Sequence, residues 1–219
     1  MHMTKHAGFT MVELLIALAI NVIILLALVS VFSTNLSHFT KTTSSDVLNQ
    51  QLETAMQLMV NDIRRAGYWG NAKSDLGTGL NNNPFMAAGV DVSVTGGNCI
   101  LFAYDYNNDG TLSVITSASD DERYGFRLSG NILQTRPWGA SFACNAASSA
   151  WENVTDPTLV KITALSFTLN STTVPVGGVS KTLSIRSVDI SITGQLVSDA
   201  TVTKTLTQHV RILNDKFVP

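Results

Sequence analysis

The chain of 219 residues can support one globular domain of ordinary size and a long helix, because 45% of its residues are hydrophobic. Only 14% of the residues are charged, which is below the share typical of soluble domains. The formal net charge of −2 excludes the strongly basic class of nucleic-acid-binding domain.

The N-terminus combines a short basic leader with an apolar segment that contains one acid. Residues 1–8 include one lysine and no acid, and residues 14–40 contain no Asp, Glu, Lys or Arg. The carboxylate of Glu13 in such a segment would cost roughly 2.5–3.5 kcal/mol at a bilayer centre. Cleavage between Gly8 and Phe9 would compensate this cost, because the new ammonium group would lie one helical turn from Glu13. The apolar segment follows this junction and therefore stays on the mature protein.

A leader that ends in Gly8, followed by Phe9-Thr10-x-x-Glu13 and an apolar helix, resembles the class III signal of type IV prepilins and type II secretion pseudopilins. The resemblance implies that a prepilin peptidase cleaves after Gly8 and methylates the amine of Phe9. It also implies that Glu13, the fifth mature residue, sets the register against a neighbouring subunit in a filament. The alternative is an ordinary signal anchor that contains a glutamate.

The distribution of proline and glycine predicts one long helix from Phe9 to Ala66. No proline occurs in the first 83 residues, and no glycine occurs between Gly8 and Gly67. Gly67 is well suited to end this helix, since glycine readily adopts the left-handed conformation found after a helix C-terminus.

The two halves of this helix are predicted to meet different surroundings. Leu14 to Phe32 is almost wholly apolar and spans roughly 28 Å, close to the thickness of a hydrocarbon core. Residues 9–36 are therefore predicted to cross the inner membrane. Residues 37–66 place apolar side chains at three- and four-residue steps, which predicts that this half packs on a globular domain.

The sequence at the predicted helix end resembles one particular group within this family. It is similar to the end of the helix in the PilW group of minor pilins, which is related to the J-type pseudopilins of type II secretion. The residues that carry this similarity are Asp62, Ile63, Arg64, Ala66, Gly67 and Tyr68. Beyond about residue 72 the resemblance concerns architecture alone.

Residues 67–219 are predicted to form a periplasmic β-rich domain. Six apolar or alternating segments predict strands. They are Cys99–Tyr104, Arg123–Leu128, Ile132–Arg136, Leu159–Leu169, Thr182–Thr193 and Val202–Leu213. The predicted fold class is α+β, with the long helix packed on antiparallel sheet, as in pilins.

The two cysteines, Cys99 and Cys144, both lie in the part that the anchor would place outside the cytoplasm. An oxidising periplasm favours a disulfide between them, and a loop of this length is worth about 4 kcal/mol in the chain-entropy model. Two buried free thiols are the alternative.

A short acidic segment offers a candidate metal site. Asp105, Asn107 and Asp109 occupy positions 1, 3 and 5 of a calcium loop, and Gly110 occupies position 6. Position 12 is Thr116 rather than the usual glutamate, so an Asx-rich turn between strands is the competing interpretation. No other cofactor is predicted.

No catalytic motif is recognisable, and the chain is predicted not to be an enzyme and to have no small-molecule substrate. Of the four histidines, two lie in the leader, His38 follows the membrane segment, and His209 is interpreted as an ordinary strand residue.

Basic and aromatic residues recur around the predicted hairpin of the β domain. They are Arg123, Tyr124, Arg127, Arg136 and Trp138. Such residues could contact nucleic acid or a protein partner. A solvated sheet face explains them more simply, so direct nucleic-acid contact is not expected.

The predicted function is that of a minor pilin of a type IV pilus, which primes assembly and sits at or near the filament tip. Such a subunit would support twitching motility, adhesion or DNA uptake. The implied partners are the prepilin peptidase, other minor pilins, the major pilin and the inner membrane, and the implied location is the inner membrane before assembly and the extracellular pilus afterwards. The alternatives are a J-like pseudopilin of type II secretion and a membrane-anchored periplasmic binding domain or enzyme.

Overall fold

The computed structural model describes residues 8–75, 82–114, 120–147, 150–176 and 181–218, and for residues 37–44 and 75 it describes the backbone alone. The chain divides into two compact units, Met1–Ser45 and Asp46–Pro219. Helix α1, Met11–Arg65, is shared between them.

The predicted long helix is present and begins and ends within two residues of the expected positions. Every described side chain from Phe9 to Leu36 is exposed. Within this stretch, Met11–Leu36 is long and apolar enough to cross a membrane. The absence of proline and glycine over the whole helix explains its continuity.

Helix α1 ends at Arg65, and Gly67 follows it with φ +73°, the left-handed conformation that the sequence predicted for this residue. The last carbonyl groups of the helix accept hydrogen bonds from the end of the chain. The Leu213 N–H donates to the Arg64 carbonyl at 3.0 Å, and the Asn214 side-chain amide donates to the Arg65 and Ala66 carbonyls. These bonds satisfy groups that a helix leaves without intrahelical partners.

The first sheet is a five-stranded antiparallel meander in the order β1-β2-β3-β4-β5. Its strands are β1 Ser93–Thr95, β2 Cys99–Ala103, β3 Arg123–Ser129, β4 Ile132–Thr135 and β5 Glu152–Asn153. The three central strands match the sequence prediction. The edge strands β1 and β5 were not predicted, because two or three residues are too few to show a period of two.

The second sheet is built from the last part of the chain. Its strands are β6 Val160–Pro175, β7 Thr182–Leu196, β8 Thr203–Arg211 and β9 Lys216–Val218. Strand β6 pairs along one edge of β7, while β8 and β9 pair antiparallel with different parts of the other edge. Strand β6 is longer than predicted, because its distal end is polar and exposed and shows no apolar period. Strand β7 continues three residues beyond Thr193 and ends at the buried Leu196.

The hydrophobic core of the second unit lies between α1 and both sheets. One face of the helix contributes a row of buried side chains at three- and four-residue spacing. They are Leu48, Leu52, Ala55, Met56, Met59, Ile63 and Ala66. The predicted α+β arrangement of a helix packed on antiparallel sheet is therefore confirmed.

The structure joins Cys99 and Cys144 by a disulfide bond, as predicted, with their Cα atoms 6.0 Å apart. Cys99 is buried on β2, whereas Cys144 lies in the irregular segment between β4 and β5. Leu101 and Trp151 pack around the bond in a small apolar cluster. The bond therefore fastens an irregular segment to the first sheet.

Replacing both cysteines by alanine is expected to lower the free energy of unfolding by about 2–4 kcal/mol. The crosslink spans 45 residues of chain and lowers the conformational entropy of the unfolded state. Its loss restores that entropy and so favours unfolding. Denaturant unfolding of the full chain in detergent measures the effect. Reduction of the wild-type protein should reproduce the loss and leave the double variant unchanged; equal stability of all four samples would contradict this account.

Candidate functional site

The start of helix α1 is a reciprocal capping arrangement between Thr10 and Glu13. The backbone N–H and the hydroxyl of Thr10 donate to Glu13 Oε2 at 2.9 and 3.0 Å, and the Glu13 N–H donates to Thr10 Oγ1 at 3.3 Å. This is the capping box that a Thr-x-x-Glu sequence forms at a helix N-terminus. The acid of the motif therefore has an intramolecular role in the single chain.

The proposed junction between Gly8 and Phe9 precedes the capped turn. Both residues are exposed, lie outside regular secondary structure, and are the first described residues of the chain. Phe9 is 89% exposed. The residues that would carry processing, methylation and register thus lie within residues 8–13 and are accessible at the beginning of the apolar helix.

A second cluster is built from the residues at which the helix end meets the first sheet. The guanidinium of Arg65 lies 4.1 Å from the ring centroid of Tyr104, and the rings of Tyr104 and Tyr124 stack at 4.1 Å. The Tyr104 hydroxyl donates to Asp62 Oδ1 at 3.4 Å. Burial raises the pKa of Asp62 above its ordinary value, and burial raises that of Tyr124 to about 12. Of the motif at the helix end, Asp62 therefore contacts the first sheet through the Tyr104 hydroxyl.

The candidate calcium loop is an ordered turn in the structure, with Gly110 at φ +79°. Asp105 is buried, and its Oδ2 accepts hydrogen bonds from the N–H groups of Gly70 and Gly110 at 2.8 and 3.0 Å.

Asp109 is exposed and accepts bonds from the N–H and hydroxyl of Thr111, both at 2.7 Å. Asn107 accepts a bond from the Asp109 N–H. Thr116, the residue at the twelfth position, lies outside the described residues.

In the structure Glu122 lies next to this loop, although the sequence analysis missed this residue. Among the described residues, one carboxylate oxygen each of Asp105, Asp109 and Glu122 lies within 4.8 Å of the others. Glu122 is buried and accepts bonds from the N–H groups of Tyr106 and Ser113 at 2.9 and 3.0 Å. Burial, and then the nearby charge of Asp105, raises the pKa of Glu122.

The expected solvated face of arginines is wrong for Arg127 and Arg136, which are only 4% and 3% exposed. Arg127 donates to Gln134 and to the carbonyls of Cys144, Ala146 and Ala147. The guanidinium of Arg127 also lies 4.3 Å from the Trp151 ring. The irregular segment that contains Cys144 covers this face, and so neither guanidinium can form part of a nucleic-acid-binding surface.

Arg136 forms the centre of a buried ion-pair network. It donates to Asp121 Oδ2 at 2.6 Å and to the carbonyls of Arg123 and Ala140. Arg123 pairs with the same aspartate at 2.9 Å. Of the residues considered as a basic-aromatic surface, Trp138 is 52% exposed.

His209 lies on strand β8 and forms an exposed pair with Asp189, with 2.6 Å between Nδ1 and the carboxylate oxygen. Asn170 donates to the other oxygen of that aspartate. This pair bridges neighbouring strands on a solvated surface. The side chain of His38 is outside the described part of the helix.

Comparisons with known proteins agree with these features. A family model described as prepilin peptidase-dependent protein B matches residues 41–212, and a model of the prokaryotic N-terminal methylation motif matches residues 3–31. A protein of Escherichia coli (strain K12) named prepilin peptidase-dependent protein B is 23% identical over 159 residues, which cover 72% of this chain and 75% of that protein. No solved structure shows a significant match. The methylation motif and the apolar helix together indicate membrane anchoring with the β-rich part outside.

Proposed function

Because the chain belongs to the prepilin peptidase-dependent protein B family, a family of structural pilin-like proteins, we propose that it is a minor pilin of a type IV pilus. In this proposal a prepilin peptidase removes residues 1–8 and methylates the amine of Phe9. The mature subunit then joins other minor pilins in a complex of the PilW type, which primes assembly and sits at or near the filament tip.

The observation that carries this proposal is the continuous exposed apolar surface from Phe9 to Leu36, which begins at the methylation motif. An apolar surface of this length must be covered, either by lipid or by other apolar helices. A subunit of this kind can reside in a membrane and later exchange its lipid contacts for neighbouring helices in a filament. No catalytic step is needed for that exchange.

The position of Glu13 suggests how the exchange is guided. A carboxylate in lipid is costly, and a new amine on Phe9 of a neighbouring subunit is a suitable partner for it. Pairing would fix the axial position of one helix relative to the next. The capping bonds from Thr10 hold the same carboxylate before such a partner arrives.

Mass spectrometry of the mature N-terminus provides the test. In cells with the prepilin peptidase, the chain is expected to begin at a methylated Phe9; in cells without it, the chain is expected to begin at Met1. A chain that begins at Met1 in both strains would contradict the proposal and favour an ordinary signal anchor.

The phenotype of a deletion strain then shows whether the chain serves a type IV pilus or a type II secretion system. Loss of surface pili and twitching with normal protein secretion is the expected result for a minor pilin. Loss of secretion with normal pili would instead assign the chain to type II secretion as a J-like pseudopilin.

A further inference from the structure

We propose that Asp105, Asp109 and Glu122 bind a calcium ion next to the turn that follows helix α1. The inference does not depend on the assignment to a pilus, because it concerns the β-rich unit alone. The proposed ligands differ from those of a helix–loop–helix calcium site, since Glu122 lies well outside the loop that carries the two aspartates.

The first observation is the charge of the cluster. Three carboxylates converge, and two of them, on Asp105 and Glu122, are 0% and 1% exposed. Among the described residues no Lys, Arg or His forms an ion pair with any of the three. Buried charges in proteins are normally paired or coordinate metal ions. A bound cation supplies the positive charge that this cluster lacks.

The second observation is independent of the charge count. Asp105 Oδ1 is fully buried and has no hydrogen-bond partner in the structure, whereas Oδ2 of the same carboxylate accepts two bonds. A buried acceptor without a partner costs free energy, and a charged one costs more than a neutral one. Coordination of a cation would satisfy this oxygen.

The chemistry of the ligands favours calcium. The cluster offers carboxylate oxygens and no imidazole or thiolate, a set that suits hard cations rather than zinc or copper. The spacing of Asp105, Asn107 and Asp109 matches the first three ligand positions of a calcium loop, and Gly110 has the positive φ that the sharp turn at position 6 requires. Glu122 supplies the further acidic ligand that Thr116 cannot supply.

Strand pairing explains how Glu122 reaches the loop. Ala103 on β2 pairs with Arg123 on β3, and the Tyr104 N–H donates to the Glu122 carbonyl at 3.1 Å. Asp105 and Glu122 therefore leave the two paired strands side by side. Both strands lie in the interior of the first sheet. The sheet therefore holds the two buried ligands in place before any ion binds.

The ion would stiffen a loop that already packs on the turn after the helix. The Trp69 indole N–H donates to the Gly110 carbonyl at 2.8 Å, and the Tyr68 hydroxyl donates to Asn108 at 2.9 Å. We expect a dissociation constant on the order of 10⁻⁴–10⁻³ M, the range of extracellular calcium modules.

The experiment uses the full chain in detergent micelles, after removal of metal by a chelator, with terbium as a luminescent substitute for calcium. Excitation of the tryptophans should sensitise terbium bound at the cluster, because the indole of Trp69 borders the loop. Calcium should displace the terbium and reduce the signal. Asp109→Asn and Glu122→Gln should each reduce the sensitised signal at least five-fold.

Asp156→Asn is the matched control. Asp156 accepts bonds from the N–H and hydroxyl of Thr158 at 2.8 and 2.7 Å, the same local arrangement as Asp109 with Thr111, but it lies outside the cluster. This variant should keep the wild-type signal. An equal loss in Asp156→Asn and Asp109→Asn would overturn the proposal, because the loss would then reflect turn geometry.

Thermal unfolding gives a second readout that does not depend on terbium. Calcium at ten times its dissociation constant should raise the folding equilibrium constant of the wild type and of Asp156→Asn about ten-fold. It should leave Glu122→Gln and Asp109→Asn unchanged. Since Asp109 is exposed, Asp109→Asn keeps the core intact and decides the question even if the Glu122 variant folds poorly. A calcium response that persists in Asp109→Asn would overturn the assignment.

Discussion

Asp121→Asn is expected to lower the free energy of unfolding by about 3–5 kcal/mol, the usual cost of removing one partner of a buried ion pair. The side chains of Asp121 and Arg136 are 1% and 0% exposed, and they meet at 2.6 Å. The aspartate also accepts bonds from Arg123 and from the Gly139 N–H. Asparagine keeps the shape of this site but leaves a buried guanidinium uncompensated. Denaturant unfolding of the full chain in detergent measures the loss.

The same substitution should change the dependence of stability on pH. Burial alone would raise the pKa of Asp121, but bonds from Arg123 and Arg136 hold it below its ordinary value overall. The ionised form therefore stabilises the fold above the unfolded-state pKa, and this contribution is lost as the pH falls through the folded-state pKa. The difference between wild type and variant should shrink below about pH 3.9.

Asp189→Asn is the control for this prediction. Asp189 also pairs with a basic side chain, His209, but both side chains are more than half exposed. Exposed pairs contribute little to stability, because solvent screens them. A loss in Asp189→Asn as large as that in Asp121→Asn would show that burial does not set the cost.

The sequence was most informative where structure depends on local composition. Helix α1 could be predicted because proline and glycine are absent between Gly8 and Gly67. The strand β3 could be predicted because Tyr124, Phe126 and Leu128 fall on one face of the strand and Arg123 and Arg127 on the other. In each case the deciding interactions lie within a few residues of one another along the chain.

The burial of the arginines could not be predicted in the same way. The alternation of residues in β3 correctly predicted that Arg127 and Phe126 lie on opposite faces of the strand. The face that carries Arg127, however, was assumed to be exposed to solvent. The groups that cover it come from residues 137–147, an irregular segment without periodicity, held by the disulfide. Main-chain carbonyls satisfy the guanidinium there, and carbonyls carry no signature in a sequence.

Glu122 was missed for a related reason. The calcium-loop pattern directs attention to position 12, Thr116, whereas the acid that meets the loop follows 17 residues after Asp105 and arrives through strand pairing. The signal that could have found it is the run Asp120-Asp121-Glu122 directly before a predicted strand. Recognising that signal requires the register of β2 against β3.

Glu13→Ala and Glu13→Gln are both expected to be processed by the prepilin peptidase yet to enter filaments at least ten-fold less than the wild type. The physical reason is the loss of the negative charge that would pair with the amine of a neighbouring Phe9. The measurement is the amount of each variant in sheared pili relative to the membrane fraction, with the N-terminus verified by mass spectrometry. This result rests on the proposed function as a filament subunit.

The two substitutions separate register from capping, because the structure gives Glu13 an intramolecular partner. Glutamine can still accept the bonds from the Thr10 N–H and hydroxyl, whereas alanine cannot. Thr10→Ala removes the hydroxyl but keeps the charge, and it should enter filaments like the wild type. If Glu13→Gln assembled normally while Glu13→Ala and Thr10→Ala both failed, the acid would act by capping its own helix. The amine of the adjacent subunit would then have no part in setting the register.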